Sequence, residues 1–266
     1  QVLAVAGERH AVLGFVKDPL DELEGPMPGV LHKYRSRVLV IYRGGCAINC
    51  RYCFRRHFPY QENTLTARDI DGLVSYLKAH PEVNEVILSG GDPLMADDQA
   101  LSGLFVRLES VSSIHRLRIH TRLPIVIPER VTDTLCQIIA ATALPVVMVL
   151  HSNHANEIDQ SVMDAVSQLR AVCRSVLNQS VILKGINDSA DVLIALSERL
   201  FEAGIDPYYL NVLDRVSGAH HFDVSDLEVA ALHQALLNAL PGYLVPKLVR
   251  EVPGIGHKVQ WKETTH

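Results

Sequence analysis

Three cysteines, Cys46, Cys50 and Cys53, share one short stretch, Gly44-Gly45-Cys46-Ala47-Ile48-Asn49-Cys50-Arg51-Tyr52-Cys53-Phe54-Arg55-Arg56-His57. Three thiolates this close together can converge on a soft metal centre, for which iron–sulfur clusters and zinc are the usual occupants. A closed zinc site takes a fourth protein ligand, and His57 is spaced to supply one. A cube of four irons held by three cysteines leaves one iron without a protein ligand, and an open iron can bind and reduce a small molecule. The spacing favours the open cluster, with a structural zinc knot as the alternative.

Two further stretches carry chemistry. In Ser89-Gly90-Gly91-Asp92-Pro93 the paired glycines let backbone pass close to a ligand with no Cβ in the way. In Arg250-Glu251-Val252-Pro253-Gly254-Ile255-Gly256-His257-Lys258 a lysine follows a proline and two glycines, which force a non-helical backbone able to turn the side chain inward. Lys247 is its main competitor, and Lys262 lies near the end of the chain. The isolated Cys136 and Cys173 are expected to pack as small apolar side chains.

These residues need a scaffold, and the chain supplies an alternation of short aliphatic and longer amphipathic stretches. Residues 38–42, 85–88, 116–120, 146–151, 176–183 and 207–212 read as buried parallel strands. Amphipathic stretches at 67–79, 98–110, 131–141, 159–172, 190–203 and 225–240 read as helices. Such alternation implies a parallel sheet with right-handed crossovers, either doubly wound or a full or partial barrel. Barrels place their chemistry at the C-terminal ends of strands. Here those ends carry Cys46, Ser89 to Asp92, His120-Thr121-Arg122, His151 to His154, Gln179 and Asp214. Glycines and prolines crowd residues 1–31, which read as an irregular lead-in.

The 266 residues are 48% hydrophobic, enough for one large α/β domain with a full core. A formal charge of −5 argues against a nucleic-acid footprint, and no apolar run approaches a membrane span. Five cysteines in this arrangement are not a secreted disulfide framework, and with no signal peptide a cytoplasmic protein is expected. The first residue is Gln1, so an N-terminal segment is expected to precede it.

The Cys-x3-Cys-x2-Cys pattern, with an aromatic residue before the last cysteine and a strand before the first, resembles the signature loop of the radical S-adenosylmethionine (SAM) enzymes. The resemblance implies a partial (β/α)6 TIM-like barrel over 32–241, and Cys46, Cys50 and Cys53 as ligands of a [4Fe–4S] cluster. The open iron would chelate SAM, which an electron from outside the chain cleaves to a 5′-deoxyadenosyl radical. Ser89, Gly90, Gly91 and Asp92 are similar to the loop that binds the SAM amino group. Arg122 and Gln179, with their neighbours in His120-Thr121-Arg122 and Asn178-Gln179-Ser180, offer further polar contacts to SAM.

The tail at 242–266 resembles the Pro-Gly-x-Gly-x-Lys tail of the lysine 2,3-aminomutase family, with Ile255 and His257 where that family often has glycine. In that family the lysine forms a Schiff base with pyridoxal 5′-phosphate (PLP), which assigns PLP to Lys258 and its phosphate to Lys33, Tyr34 and Arg37. Arg55 matches the arginine that grips the substrate carboxylate, and Asp214 and Glu251 match carboxylates that hold the distal ammonium of lysine. The implied reaction moves the α-amino group of L-lysine to the β-carbon. Gly29 to Tyr34, Cys53 to Tyr60 and Tyr243 to Leu248 look most like the bacterial branch that makes β-lysine for attachment to elongation factor P. On that branch the product passes to a modifying ligase. Ser189 stands where the longer clostridial type has a zinc-binding cysteine, and a homo-oligomer is expected.

Overall fold

The computed structural model describes residues 3–66 and 68–261, so Ala67, the first residue of the expected 67–79 helix, and Lys262 lie outside the described residues. One sheet runs through the molecule, with nine strands in sequence order: β1 (Val30–Tyr34), β2 (Arg37–Arg43), β3 (Glu85–Gly90), β4 (Arg116–Thr121), β5 (Val146–Leu150), β6 (Ser175–Val181), β7 (Asp206–Asn211), β8 (Lys247–Arg250) and β9 (Val259–Gln260). From β2 to β8 every pairing is parallel. The two outermost strands, β1 and β9, pair antiparallel.

All six expected strands and all six expected helices form. The helices are α1 (Ile70–Ala79), α2 (Asp98–Glu109), α4 (Asp133–Ala141), α5 (Gln160–Val172), α6 (Ala190–Glu202) and α7 (Asp226–Ala239), with a short α3 (Leu123–Val126) after β4. The six-strand count needs correction, because β1, β8 and β9 extend the sheet at both ends. The first is half-exposed in sequence pattern, and the last two are too short to show a period. The boundary expected at 31/32 falls inside β1, and the tail after 241 contributes β8 and β9 to the sheet.

Helix starts follow the sequence. Asp97, Thr132, Asp159 and Ser189 each accept a backbone N–H at their helix N-terminus, and Ser225 forms a capping box with Glu228. The helices bury one face each, such as Leu101, Leu104, Phe105 and Leu108 of α2 and Val162, Ala165, Val166 and Leu169 of α5. They cover the outer face of the sheet, where Val38, Val40, Val86, Leu88, Leu117, Ile119, Met148 and Leu150 complete the core.

Alternation along each strand decides what the inner face carries. In β4, Leu117, Ile119 and Thr121 are buried while Arg118 and His120 face the cavity; in β6, Val176, Asn178 and Ser180 are buried while Gln179 faces it. Register brings the strand ends level: Ile41 pairs with Ser89, Thr121 with Leu150, Leu150 with Asn178, and Val181 with Asn211. The result is a polar inner floor backed by an apolar outer layer.

Candidate active site

The cysteine loop leaves β2 at Arg43 and is held in place at several points. Two successive turns, Cys53 N to Cys50 O (3.0 Å) and Arg56 N to Cys53 O (3.1 Å), wind it. The aromatic Tyr52 is half-buried, and its hydroxyl accepts from Asn153 Nδ2 at 2.7 Å. From the lead-in, Glu8 accepts from Arg51 Nε at 2.7 Å and from Arg56 Nη2 at 2.8 Å. Burial pushes the Glu8 carboxyl up, but the Val5 amide and the two guanidinium groups outweigh it and bring it to about 2.

Burial, followed by Asp92 and the other two thiols, pushes the Cys46 thiol up to about 12, and burial also raises Cys53. Cys50 and Cys53 disfavour the Cys46 thiolate and Cys50 disfavours that of Cys53, which suits a cationic centre that supplies the missing charge. Arg122 donates to Cys50 Sγ at 2.7 Å and to Glu157 at 2.6 Å. His57, the fourth ligand of the zinc alternative, is engaged elsewhere, with Nε2 3.0 Å from the Ser217 carbonyl oxygen. Among the described residues no three His, Cys, Asp or Glu side chains are gathered tightly enough for a single metal ion. A cube carries each thiolate on a different iron, so its ligands stand wider apart than those of one ion.

The glycine pair after β3 meets this loop directly. A Cβ on Gly91 would lie 2.3 Å from the Gly45 carbonyl oxygen, and Gly90 adopts φ +109°, a region glycine alone enters freely. Asp92 is buried with its carboxylate fully used: Oδ1 accepts from Thr121 Oγ1 (2.7 Å) and Leu94 N (3.0 Å), and Oδ2 from Arg122 N (2.7 Å) and Leu123 N (3.2 Å). It therefore ties the ends of β3 and β4 together beneath the cysteine loop.

On the sheet floor, Gln179 Nε2 lies 3.1 Å from His151 Nε2 and 3.3 Å from His120 Nδ1. Burial first, and then nearby cations, lowers His151 to about 3 and His120 well below its ordinary range, so both rings are neutral at pH 7. Gln179 Oε1 and His120 Nε2 are buried without a hydrogen-bond partner among the described residues. Buried orphans of this kind fit a polar ligand over the floor. Asn178 and Ser180 point the other way. Asn178 bonds the Ser152 backbone through both amide atoms and Ser180 Oγ donates to the Ser152 carbonyl, so neither reaches the cavity; Thr121 lines it, but its hydroxyl is given to Asp92.

At the opposite wall, Lys258 Nζ donates to Asn211 Oδ1 at 2.9 Å, lies 3.3 Å from Glu251 Oε2 and sits 5.7 Å above the Tyr209 ring. Glu251 Oε1 accepts from Tyr34 at 3.2 Å, and Lys33 approaches it at 3.9 Å. Burial and then Glu251 raise the Tyr34 phenol, which stays protonated. Arg37 stacks 3.9 Å over the Tyr34 ring. Burial raises Asp214 to about 7, against the pull of Lys258 and with the push of Glu251. Arg55 is buried and donates to Ser89 Oγ (3.1 Å) and, in two bonds, to Glu22. Lys247 is exposed on β8, away from the cavity.

Of the residues singled out from the sequence, Cys46, Cys50, Cys53, Ser89, Gly90, Gly91, Asp92, Arg122, Gln179, Lys33, Tyr34, Arg37, Arg55, Asp214, Glu251 and Lys258 line one cavity of about 410 Å³, whereas His57, Lys247, Asn178 and Ser180 do not. Glu22, Arg118 and Asn211 also line it and were not anticipated. The alternation of β4 and β7 gives the inward face of Arg118 and Asn211 once the strands are known, whereas Glu22 lies in irregular chain with no period to read.

Residues 40–196 match the Radical SAM superfamily. The chain is 52% identical over 251 residues to the L-lysine 2,3-aminomutase of Haemophilus influenzae, covering 94% of this chain and 74% of that protein. It is likewise 52% identical over 254 residues to the L-lysine 2,3-aminomutase of Escherichia coli, covering 96% and 74%. The crystal structure of Streptococcus suis SuiB bound to S-adenosylmethionine superposes with a TM-score of 0.58 at 18% identity, covering 82% of this chain and 51% of that one, a likeness of fold. With the signature loop, the barrel-like sheet and these relatives in agreement, the chain belongs to the radical SAM superfamily and, within it, to the lysine 2,3-aminomutase family of isomerases.

Proposed function

We propose that the protein converts L-lysine to β-lysine by 2,3-amino migration, using a [4Fe–4S] cluster, SAM and PLP in the single cavity. The observation that carries this reading is the convergence in that cavity of three thiols on one side and a lysine flanked by two carboxylates on the other. Cys46, Cys50 and Cys53 would hold the cluster, with the Gly90-Gly91 backbone, Gln179 and Arg122 beside the open iron for SAM. Lys258 would hold PLP, and Lys33, Tyr34 and Arg37 its phosphate, a donor set suited to that anion. When bound, these groups supply a hydrogen-abstracting radical and an aldehyde that holds the migrating amine.

The chain's own contribution is positioning and exclusion of water. Arg55 would bind the substrate carboxylate, and Asp214 and Glu251 the distal ammonium. Burial raises the Asp214 carboxyl and Glu251 adds to the rise, so a substrate ammonium beside the two acids would favour their ionised forms. Tyr34 orients Glu251, and Asp92 fixes the glycine backbone under the cluster loop.

We also propose that an external one-electron donor feeds the cluster and that β-lysine passes to a ligase modifying elongation factor P. The resemblance of Gly29 to Tyr34 and Tyr243 to Leu248 to that bacterial branch supports the second point. Among the described residues no helix is long and apolar enough to cross a membrane. A substrate panel tests the reading. The reconstituted protein should rearrange lysine in preference to ornithine, arginine or glutamate, and equal turnover of glutamate would overturn it.

A further inference from the structure

Glu22 belongs to the lead-in, yet it is only 4% exposed and sits against Arg55, itself 6% exposed. Its Oε2 accepts from Arg55 Nε at 2.5 Å, and its Oε1 accepts from Arg55 Nη2 at 3.1 Å and lies 3.0 Å from Lys33 Nζ. The turn that delivers it is tightly wound. Asp18 Oδ2 accepts from the backbone N–H of Glu22 (2.8 Å) and of Leu23 (3.2 Å). Asp21, directly before Glu22, has φ +54° and is the only non-glycine residue with positive φ among the described residues. A left-handed non-glycine is uncommon, and aspartate is among the few side chains that enter the region readily. Burial pushes the Glu22 carboxyl up, but Arg55 and Lys33 outweigh it and hold it below its ordinary range. A full anion therefore fills one edge of the Arg55 fork.

With Glu22 on Nε and Nη2 and Ser89 Oγ on Nη1, every nitrogen of the guanidinium is engaged, and an incoming carboxylate that grips it bidentately must displace one of these partners. We propose that Glu22 is a built-in competitor for the substrate carboxylate: it occupies Arg55 in the resting enzyme and is displaced only by a ligand that brings a carboxylate of its own. This rests on the reading of Arg55 as the carboxylate anchor. The resting site keeps its buried guanidinium paired, and the 18–23 turn opens for an amino acid but not for a diamine of the same length. Glu22 thereby helps determine specificity without taking part in the chemistry.

The test uses the anaerobically reconstituted holoenzyme, with L-lysine and 1,5-diaminopentane as probes. Lysine should speed amide hydrogen exchange at Glu22 and Leu23, the two amides latched to Asp18, and the diamine should not. An anchor vacant about one-tenth of the time weakens apparent affinity about tenfold. Glu22→Gln should therefore tighten lysine binding by about tenfold or more and leave the diamine unchanged. Asp18→Ala, which releases the turn but keeps Glu22, should act in the same direction by less, and it carries the test if Glu22→Gln does not fold. Weakened or unchanged lysine binding in these variants, with exchange at 18–23 unaltered by lysine, would make Glu22 a static partner and overturn the proposal. Arg55→Lys separates the two claims. Loss of the preference for lysine over the diamine upholds Arg55 as the anchor whatever Glu22 does, whereas a preference that survives removes the anchor itself.

Discussion

The ammonium of Lys258 lies 3.3 Å from Oε2 of Glu251, an ion pair between two side chains of one C-terminal segment that closes the wall of the cavity. The pair brings the lysine inward, whereas Lys247, three residues after the turn at Gly242–Leu244, is exposed on β8. Borohydride treatment of the PLP-loaded protein should therefore fix the cofactor on Lys258. Peptide mapping should find the label there, Lys258→Ala should lose it, and Lys247→Ala should keep it.

Asp214 gives the site a pH dependence whose sign follows from its environment. Burial raises the carboxyl from 3.8 to about 7, so in the ligand-free protein its contribution to stability is fullest below pH 4 and is lost as pH rises toward 7. A bound ammonium reverses the preference, because it pairs with the ionised form. The KM for lysine should fall between pH 6 and pH 8, and Asp214→Asn should flatten that dependence. Loss of one partner of a buried pair costs about 3–5 kcal/mol, or roughly two to four powers of ten in kcat/KM. Cluster and PLP content should stay unchanged, which iron analysis and absorbance check.

Gly91→Ala tests the contact between the β3 turn and the cysteine loop. Its Cβ would meet the Gly45 carbonyl oxygen at 2.3 Å and the Gly45 nitrogen at 2.8 Å, both backbone atoms that cannot rotate away. The loop must shift, and with it Cys46. Iron content after anaerobic reconstitution should drop sharply while the far-ultraviolet circular dichroism stays that of the wild type.

Asp92→Ala takes the acceptor from the buried Thr121 hydroxyl and Leu94 amide and from the part-buried Arg122 amide, while the Leu123 amide keeps Thr121 Oγ1 at 3.1 Å. Stranding even one buried donor costs about 1–3 kcal/mol. The variant should unfold at a lower urea concentration by at least that amount, with Asp92→Asn recovering part of the loss.

The central strands and all six long helices are legible because each carries a strong signal: an aliphatic run in β2, β3 and β5, alternation of apolar and polar residues in β4 and β6, and an apolar stripe behind a Ser, Thr or Asp cap for most helices. The site residues are legible for a different reason, since they stand at strand ends and in punctuated loops whose spacing is itself the message. What the sequence hides is whichever partner comes from irregular chain. Glu8 and Glu22 reach the cysteine loop and Arg55 from a glycine- and proline-rich segment with no period. Only the folded turn, with Asp21 in its left-handed conformation, reveals where those carboxylates go. Likewise Asn178 and Ser180 look like ligand contacts beside Gln179, and the pleat sends them to the opposite face, while Thr121 stays at the cavity but gives its hydroxyl to Asp92.

On the proposed function, nitrogen moves from the α- to the β-carbon of lysine within this cavity. Lysine labelled with ¹⁵N at the α-amino group, incubated anaerobically with the reconstituted protein, SAM, PLP and a one-electron reductant, tests it most directly. The product should be β-lysine with the label retained on the β-carbon, and Cys50→Ala or Lys258→Ala should form none. Unchanged lysine in the presence of an intact cluster, SAM cleavage and bound PLP, or a β-lysine that has lost the label, would contradict it.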